Sequence, residues 1–118
     1  MIVTKNNEPT YRTPLIGHVF EKKNINEITD EQLINFLLID GATIFNTEGQ
    51  LIGIAQHLEA PYSSDCTFET GRGTKHNSAL LYTRAVDCVA FVVSHEGPIT
   101  VYFGGKIYAR CFGEIFGY

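Results

Sequence analysis

The stretch Cys88-Val89-Ala90-Phe91-Val92-Val93-Ser94-His95-Glu96-Gly97-Pro98-Ile99-Thr100-Val101-Tyr102-Phe103-Gly104-Gly105-Lys106-Ile107-Tyr108-Ala109-Arg110-Cys111-Phe112 decides the fold. Cys88–Ser94 is a short apolar run rich in β-branched residues, which predicts a buried strand. His95-Glu96-Gly97-Pro98 turns the chain, and Ile99–Phe103 returns. Gly104-Gly105 is a second tight turn into Lys106–Phe112, where Ile107, Ala109 and Cys111 alternate with Lys106, Tyr108 and Arg110.

Upstream the pattern repeats with helices interposed. Ala42–Phe45 and Gln50–His57 are strand-like runs flanking Asn46-Thr47-Glu48-Gly49, a short glycine-containing hairpin connection. Ile28–Leu38 reads as a helix: Thr29 and Gln32 have capping-box spacing, and Leu33, Ile34, Leu37 and Leu38 form one apolar stripe. His76–Val86 is a second helix, with Ala79, Leu80, Tyr82 and Thr83 one turn apart. Leu58–Gly73 is a long loop, and loops of that length inside compact domains are commonly functional. The fold class is α/β: a single compact domain with a mixed, mostly hairpin-connected sheet flanked by helices. Residues 1–26 are expected to be an N-terminal arm or edge elements, with short extended pieces around Leu15–Phe20, and 27–118 the main folded domain.

Composition bounds the partners. The chain has 118 residues, 44% hydrophobic and 19% charged, with a net charge of −4. That suits one globular domain able to bury about two-thirds of its unfolded surface. The lack of a basic excess argues against nucleic acid as the main partner. No apolar run reaches the roughly 18 residues that span a bilayer, so no membrane contact is expected. Cys66, Cys88 and Cys111 form neither a disulfide framework nor a zinc motif. Cys88 and Cys111 read as small core residues, and the expected compartment is a reducing cytoplasm.

Three segments carry chemistry, each where an element ends. In Asp40-Gly41-Ala42 a carboxylate closes an apolar helix before a strand. Asp40 and Gly41 either punctuate a turn or present a metal-binding or basic carboxylate, with glycine admitting a ligand to the backbone. Gly71-Arg72-Gly73-Thr74-Lys75-His76-Asn77-Ser78 is a glycine-rich lead into a helix, carrying a hydroxyl, two cations and a histidine. It is either a solvated loop or a phosphate site built on helix-start N–H groups; it lacks Walker A spacing. At the third, Glu96 follows the apolar Val92-Val93-Ser94, as an ordinary turn tip or as a second carboxylate sharing a cation. His18 and His57 stand alone in strand-like runs and read as structural.

In this order, along roughly residues 28–107, the three segments resemble the diadenylate cyclase domain family of the DisA N-terminal type. The resemblance implies a domain that binds ATP with Mg²⁺ or Mn²⁺. Two such domains meet face to face as a homodimer and join two ATP into cyclic di-AMP, releasing pyrophosphate. It implies catalytic roles for Asp40 and His76 and metal ligation by Asp40 and Glu96. Gly41, Ala42, Arg72, Gly73, Thr74, Lys75, Asn77 and Ser94 are the implied nucleotide-binding residues. Two departures matter. The family's Arg-His-Arg is here Lys75-His76-Asn77, and its Ser-Glu-Glu is Ser94-His95-Glu96. A lost charge-assisted bond to phosphate is worth roughly 1.5–3 kcal/mol. The family includes relatives that sense nucleotides without turnover, which makes a nucleotide-sensing domain the alternative.

Overall fold

A computed structural model describes residues 1–5, 11–14, 23–68, 73–93 and 98–111. Among the described residues, seven strands and two α-helices follow in chain order, with a 3-10 turn at Ile25–Glu27: β1 (Ile2–Thr4), β2 (Arg12–Pro14), α1 (Asp30–Leu38), β3 (Ala42–Asn46), β4 (Leu51–Leu58), α2 (Thr74–Ala85), β5 (Cys88–Val92), β6 (Ile99–Phe103) and β7 (Lys106–Cys111). They form one sheet in the order β2-β4-β3-β1-β5-β6-β7. Only β1 and β3 run parallel; the other neighbours are antiparallel. The mixed, hairpin-rich α/β sheet expected from the sequence is therefore present.

The expectation of an arm or edge over residues 1–26 fails at its first residues. Ile2–Thr4 is the central strand, with Ile2 paired to Ile44 on one side and Ala90 on the other. Its three residues are too few to show a period, and the polar run after them hid it. Arg12–Pro14 is an edge strand; Leu15–Phe20 and His18 lie outside the described residues.

Each face of the sheet carries one helix. Under α2, Ile2, Ile44, Ala79, Leu80, Tyr82, Cys88, Ala90 and Tyr102 make the larger core. Under α1, Phe45, Leu51, Ile54 and Ala55 are covered by Ile28, Leu33, Phe36 and Ile39. Thr29 caps α1 as its spacing predicts: its Oγ1 accepts from the Gln32 N–H at 3.1 Å, and the Gln32 side chain accepts from the Thr29 N–H at 3.0 Å. The stripe of α1 is rotated from the one expected. Ile34 and Leu38 are 56% and 62% exposed, and Phe36 takes their place against the sheet. At 100° per residue, Leu33 and Phe36 lie about 60° apart on one face, and Ile34 and Leu38 point to the far side of the helix.

The outer hairpin turns on Gly104 and Gly105, both at positive φ. A side chain at Gly105 would meet Arg84 Cβ at 2.8 Å, so glycine lets α2 rest on this turn. There the Gly105 N–H donates to Thr83 Oγ1 at 3.2 Å. On β7 the expected alternation breaks down: Lys106, Ile107 and Tyr108 are all exposed. The register of β6 and β7 slips between Val101 and Tyr102, leaving Tyr108 as an extra residue. Cys88 is buried as expected, whereas Cys111 is only half-buried and Cys66, in the long loop, is the buried one.

Candidate functional site

The ends of α1, β3, β4, α2 and β5 converge on a cleft of about 190 Å³. Its floor is apolar, with Ile2, Ala42, Leu58, Ala79, Ala90 and Val92 among its residues. Its polar lining comes from Gln56, His57, Thr74, Lys75 and Ser78. Two sequence segments far apart in the chain, Gly41-Ala42 and Thr74-Lys75, thus meet in one place, next to the end of the strand that leads to the third.

The wall at Gly41 is built by close backbone contact. Gly41 has φ +96°, and a side chain on it would meet Ala55 C at 2.8 Å and Gln56 N and O at 3.0 Å. Only glycine tolerates both conditions. Opposite it, β4 carries a bulge: Ala42 pairs with Gln56 and Ile44 with Gly53, so Ile54 and Ala55 together oppose Thr43. Ala55 sits at φ +51°, a conformation that L-residues rarely adopt. Behind the turn, Thr43 Oγ1 donates to Phe36 O at 3.3 Å, tying β3 to the last turn of α1. Asp40 is exposed on this turn, one residue outside the cleft lining.

The second wall is the start of α2. Gly73 is the N-cap and makes no side-chain capping bond. The first N–H groups of a helix lack intrahelical partners and carry the positive end of its dipole, which suits an anion. Thr74 and Lys75 are exposed here, and Ser78 lies one turn on. A hydroxyl at i, an ammonium at i+1 and a hydroxyl at i+4 therefore share the cleft side of α2.

The implied site residues do not all gather. His76 is 7% exposed, and its Nδ1 is hydrogen-bonded to Tyr102 Oη at 2.7 Å, with the rings edge-on. It belongs to the contact between α2 and β6 and is absent from the cleft lining. Asn77 is half-buried and does not line the cleft. Arg72, Ser94 and Glu96 lie outside the described residues. Sequence reading left Gln56 and Ser78 out of the candidate site and took His57 as structural. A glutamine inside an apolar strand and a serine one turn after Thr74 were the available signals; His57 had only its place at a strand end.

No group of three His, Cys, Asp or Glu side chains converges among the described residues. Asp40 is the described carboxylate that adjoins the cleft lining in the chain. A lone carboxylate can hold Mg²⁺ only together with substrate phosphates and water.

The family model described as "DisA bacterial checkpoint controller nucleotide-binding", the DAC domain, matches residues 1–107. The chain belongs to this family. Among solved structures, it is similar to a double mutant of DacA from Staphylococcus aureus, with a TM-score of 0.57 and 26% identity. That match covers 80% of this chain and 66% of the other, so the DAC chain described here spans just under two-thirds of the DacA chain. No curated protein matches. The sheet and its two helices are therefore a diadenylate cyclase-like fold, and no helix among the described residues is long and apolar enough to cross a membrane.

Proposed function

We propose that this domain binds ATP in the cleft and, as a face-to-face homodimer, condenses two ATP into cyclic di-AMP with release of pyrophosphate. The observation that carries this reading is the meeting of Gly41-Ala42 with Thr74-Lys75 around one apolar-floored cleft in a DAC-family chain. The apolar floor suits the nucleoside. The start of α2, with Thr74 and Lys75, suits the phosphates.

In this reading each chain holds one ATP in its cleft, so a second chain must bring the second nucleotide. Each 3′-hydroxyl oxygen then bonds to the α-phosphorus of the other ATP. The bond from that phosphorus to the β-phosphate oxygen breaks, pyrophosphate leaves, and the hydroxyl proton passes to Asp40. Mg²⁺ or Mn²⁺, when bound, supplies charge neutralisation at the phosphates; Asp40 would hold it, with Glu96 as second ligand. The rest is positioning: Gly41 brings the backbone wall close, and the floor excludes water.

A second reading is nucleotide sensing without turnover. It is favoured by Asn77, which replaces an arginine of the family pattern, and by His95, which replaces a carboxylate.

Chromatography of the products formed from ATP and Mn²⁺ tests the choice. Wild type is expected to form a cyclic dinucleotide. Asp40→Asn is expected to keep ATP binding and lose turnover by about 10²–10⁴-fold, the usual worth of a positioned base. Tight ATP binding with no product across metals and pH selects the sensor. No change in Tm with any adenine or guanine nucleotide rejects both readings.

A further inference from the structure

We propose that Arg12 and Gln56 form a positioning latch that holds the β4 bulge in shape and, through it, sets where the Asp40-Gly41 turn stands. This rests on the reading of Asp40 as the carboxylate of the nucleotide site. Gln56 is 3% exposed. Its Oε1 accepts from Arg12 Nη1 on the edge strand β2, and its Nε2 donates to Ile54 O at 2.8 Å. That second bond spans the residue with the unusual backbone, Ala55, because it reaches from Gln56 back to the carbonyl before it. The Gln56 side chain lies over Gly53: a Cβ there would meet Gln56 Cγ at 3.0 Å, Cδ at 3.1 Å and Arg12 Nη1 at 3.3 Å.

The chain of contact to the site is short. Gly41 rests directly on the Ala55–Gln56 peptide. If Ala55 relaxes toward ordinary β geometry, that peptide rotates and the surface under Gly41 moves. A residue in the left-handed region persists only where its surroundings hold it there. Both ends of the buried amide are bonded, and releasing either one costs the desolvation of the group left behind. Arg12 does not itself line the cleft. An effect of its loss on the site is therefore indirect, and Gln56, which bonds Arg12 and itself lines the cleft, offers the route.

Two variants, Arg12→Met and Gln56→Leu, test the latch, with Arg12→Lys as the conservative control. The first readout is amide hydrogen exchange without nucleotide. Exchange at Ile39–Thr43 is expected to rise roughly tenfold in both variants, the loss of one buried hydrogen bond, with α2 unchanged. The second is ATP affinity by calorimetry, in EDTA and in Mn²⁺. In EDTA, affinity is expected to stay within about twofold for Arg12→Met, because the α2 contacts are intact. The gain in affinity on adding Mn²⁺ is expected to shrink toward that of Asp40→Asn. Combining Arg12→Met with Asp40→Asn is expected to add nothing further. Arg12→Lys keeps a donor and is expected to recover part of both signals.

Unchanged exchange at Ile39–Thr43 in whichever variant folds overturns the latch, as does acceleration spread equally over α2, or a full Mn²⁺ gain in Arg12→Met. If wild type binds no ATP, the nucleotide reading fails by itself while the exchange experiment still decides the latch.

Discussion

β5 and β6 keep step and β3 and β4 do not. Val89–Val92 pairs with Phe103–Thr100 without a break, and α2 lies over that half on Ala79, Leu80, Tyr82 and Thr83. Across β1, the register of β3 and β4 shifts twice within five residues of β3. That half also carries Ala55 at φ +51°, Gly41 at φ +96° and the buried amide of Gln56. The β5–β6 pair packed under α2 is regular, and the one slip in that half lies at its outer edge between β6 and β7, away from the cleft. The other half departs from regularity where it borders the cleft, as bulges and unusual backbone do at functional sites. The division teaches that the site's shape comes from backbone irregularity on one side and a helix start on the other.

Substitutions in the two halves should therefore fail differently. The largest loss of stability is expected in the regular half. Tyr82 is fully buried on α2, and Tyr82→Ala should cost about 3–5 kcal/mol, measured by denaturant unfolding. The fraction that remains folded should bind ATP normally. A Tyr82→Ala protein that is stable but cannot bind ATP would break the division.

Gly41→Ala is the converse. Left-handed backbone and collision with the Ala55–Gln56 peptide should together cost about 2 kcal/mol. ATP affinity should fall by more than that stability loss accounts for, because the colliding atoms form the cleft wall. Equal stability and unchanged affinity would mean the turn is not held as described.

The smallest effect is a pH dependence seated in the regular half. Burial, with the Asp87 carboxylate adding to it, pushes the Cys88 thiol from about 9 up to about 12. The folded state thus favours the neutral thiol. That contribution is fully present below pH 9, where the thiol is protonated in both states. It is lost as pH rises from 9 towards 12, where only the unfolded chain ionises. Tyr82, raised from 10 to about 12 by burial and by Cys88, acts in the same direction. Tm should decline across pH 9–11, and Cys88→Ala should flatten the decline. Under native conditions a thiol reagent should reach half-buried Cys111 well before Cys88.

Legibility in the sequence follows the same division. The β5-β6-β7 meander was readable because each run is short, apolar and closed by Gly-Pro or Gly-Gly, chemistry that has few alternatives. The capping box of Thr29 and Gln32 was readable for the same local reason. What escaped depends on partners distant in the chain. β1 is three residues long and gains its place only from Ile44–Asn46 and Cys88–Ala90. The face of α1 was misjudged because four apolar residues at two adjacent angles look like one stripe. Around the cleft, Gly41 and Thr74-Lys75 stood out in the sequence by residue type. His76 stood out in the same way, and its Nδ1 bonds Tyr102 Oη behind the lining. Ala55 carried none, since nothing in an alanine predicts positive φ.

The central strand has a consequence for the order of assembly. The β3–β4 and β5–β6–β7 meanders each close over short loops and can form early, whereas β1 must wait for two partners that lie far apart in the chain. It is the seam that joins two otherwise separate ladders. Ile2 lies in the floor of the cleft, so the cleft does not exist until that seam has closed. Ligand capture in the cleft would therefore report completion of the whole sheet, and a nucleotide bound there would hold shut the joint that either half alone leaves open.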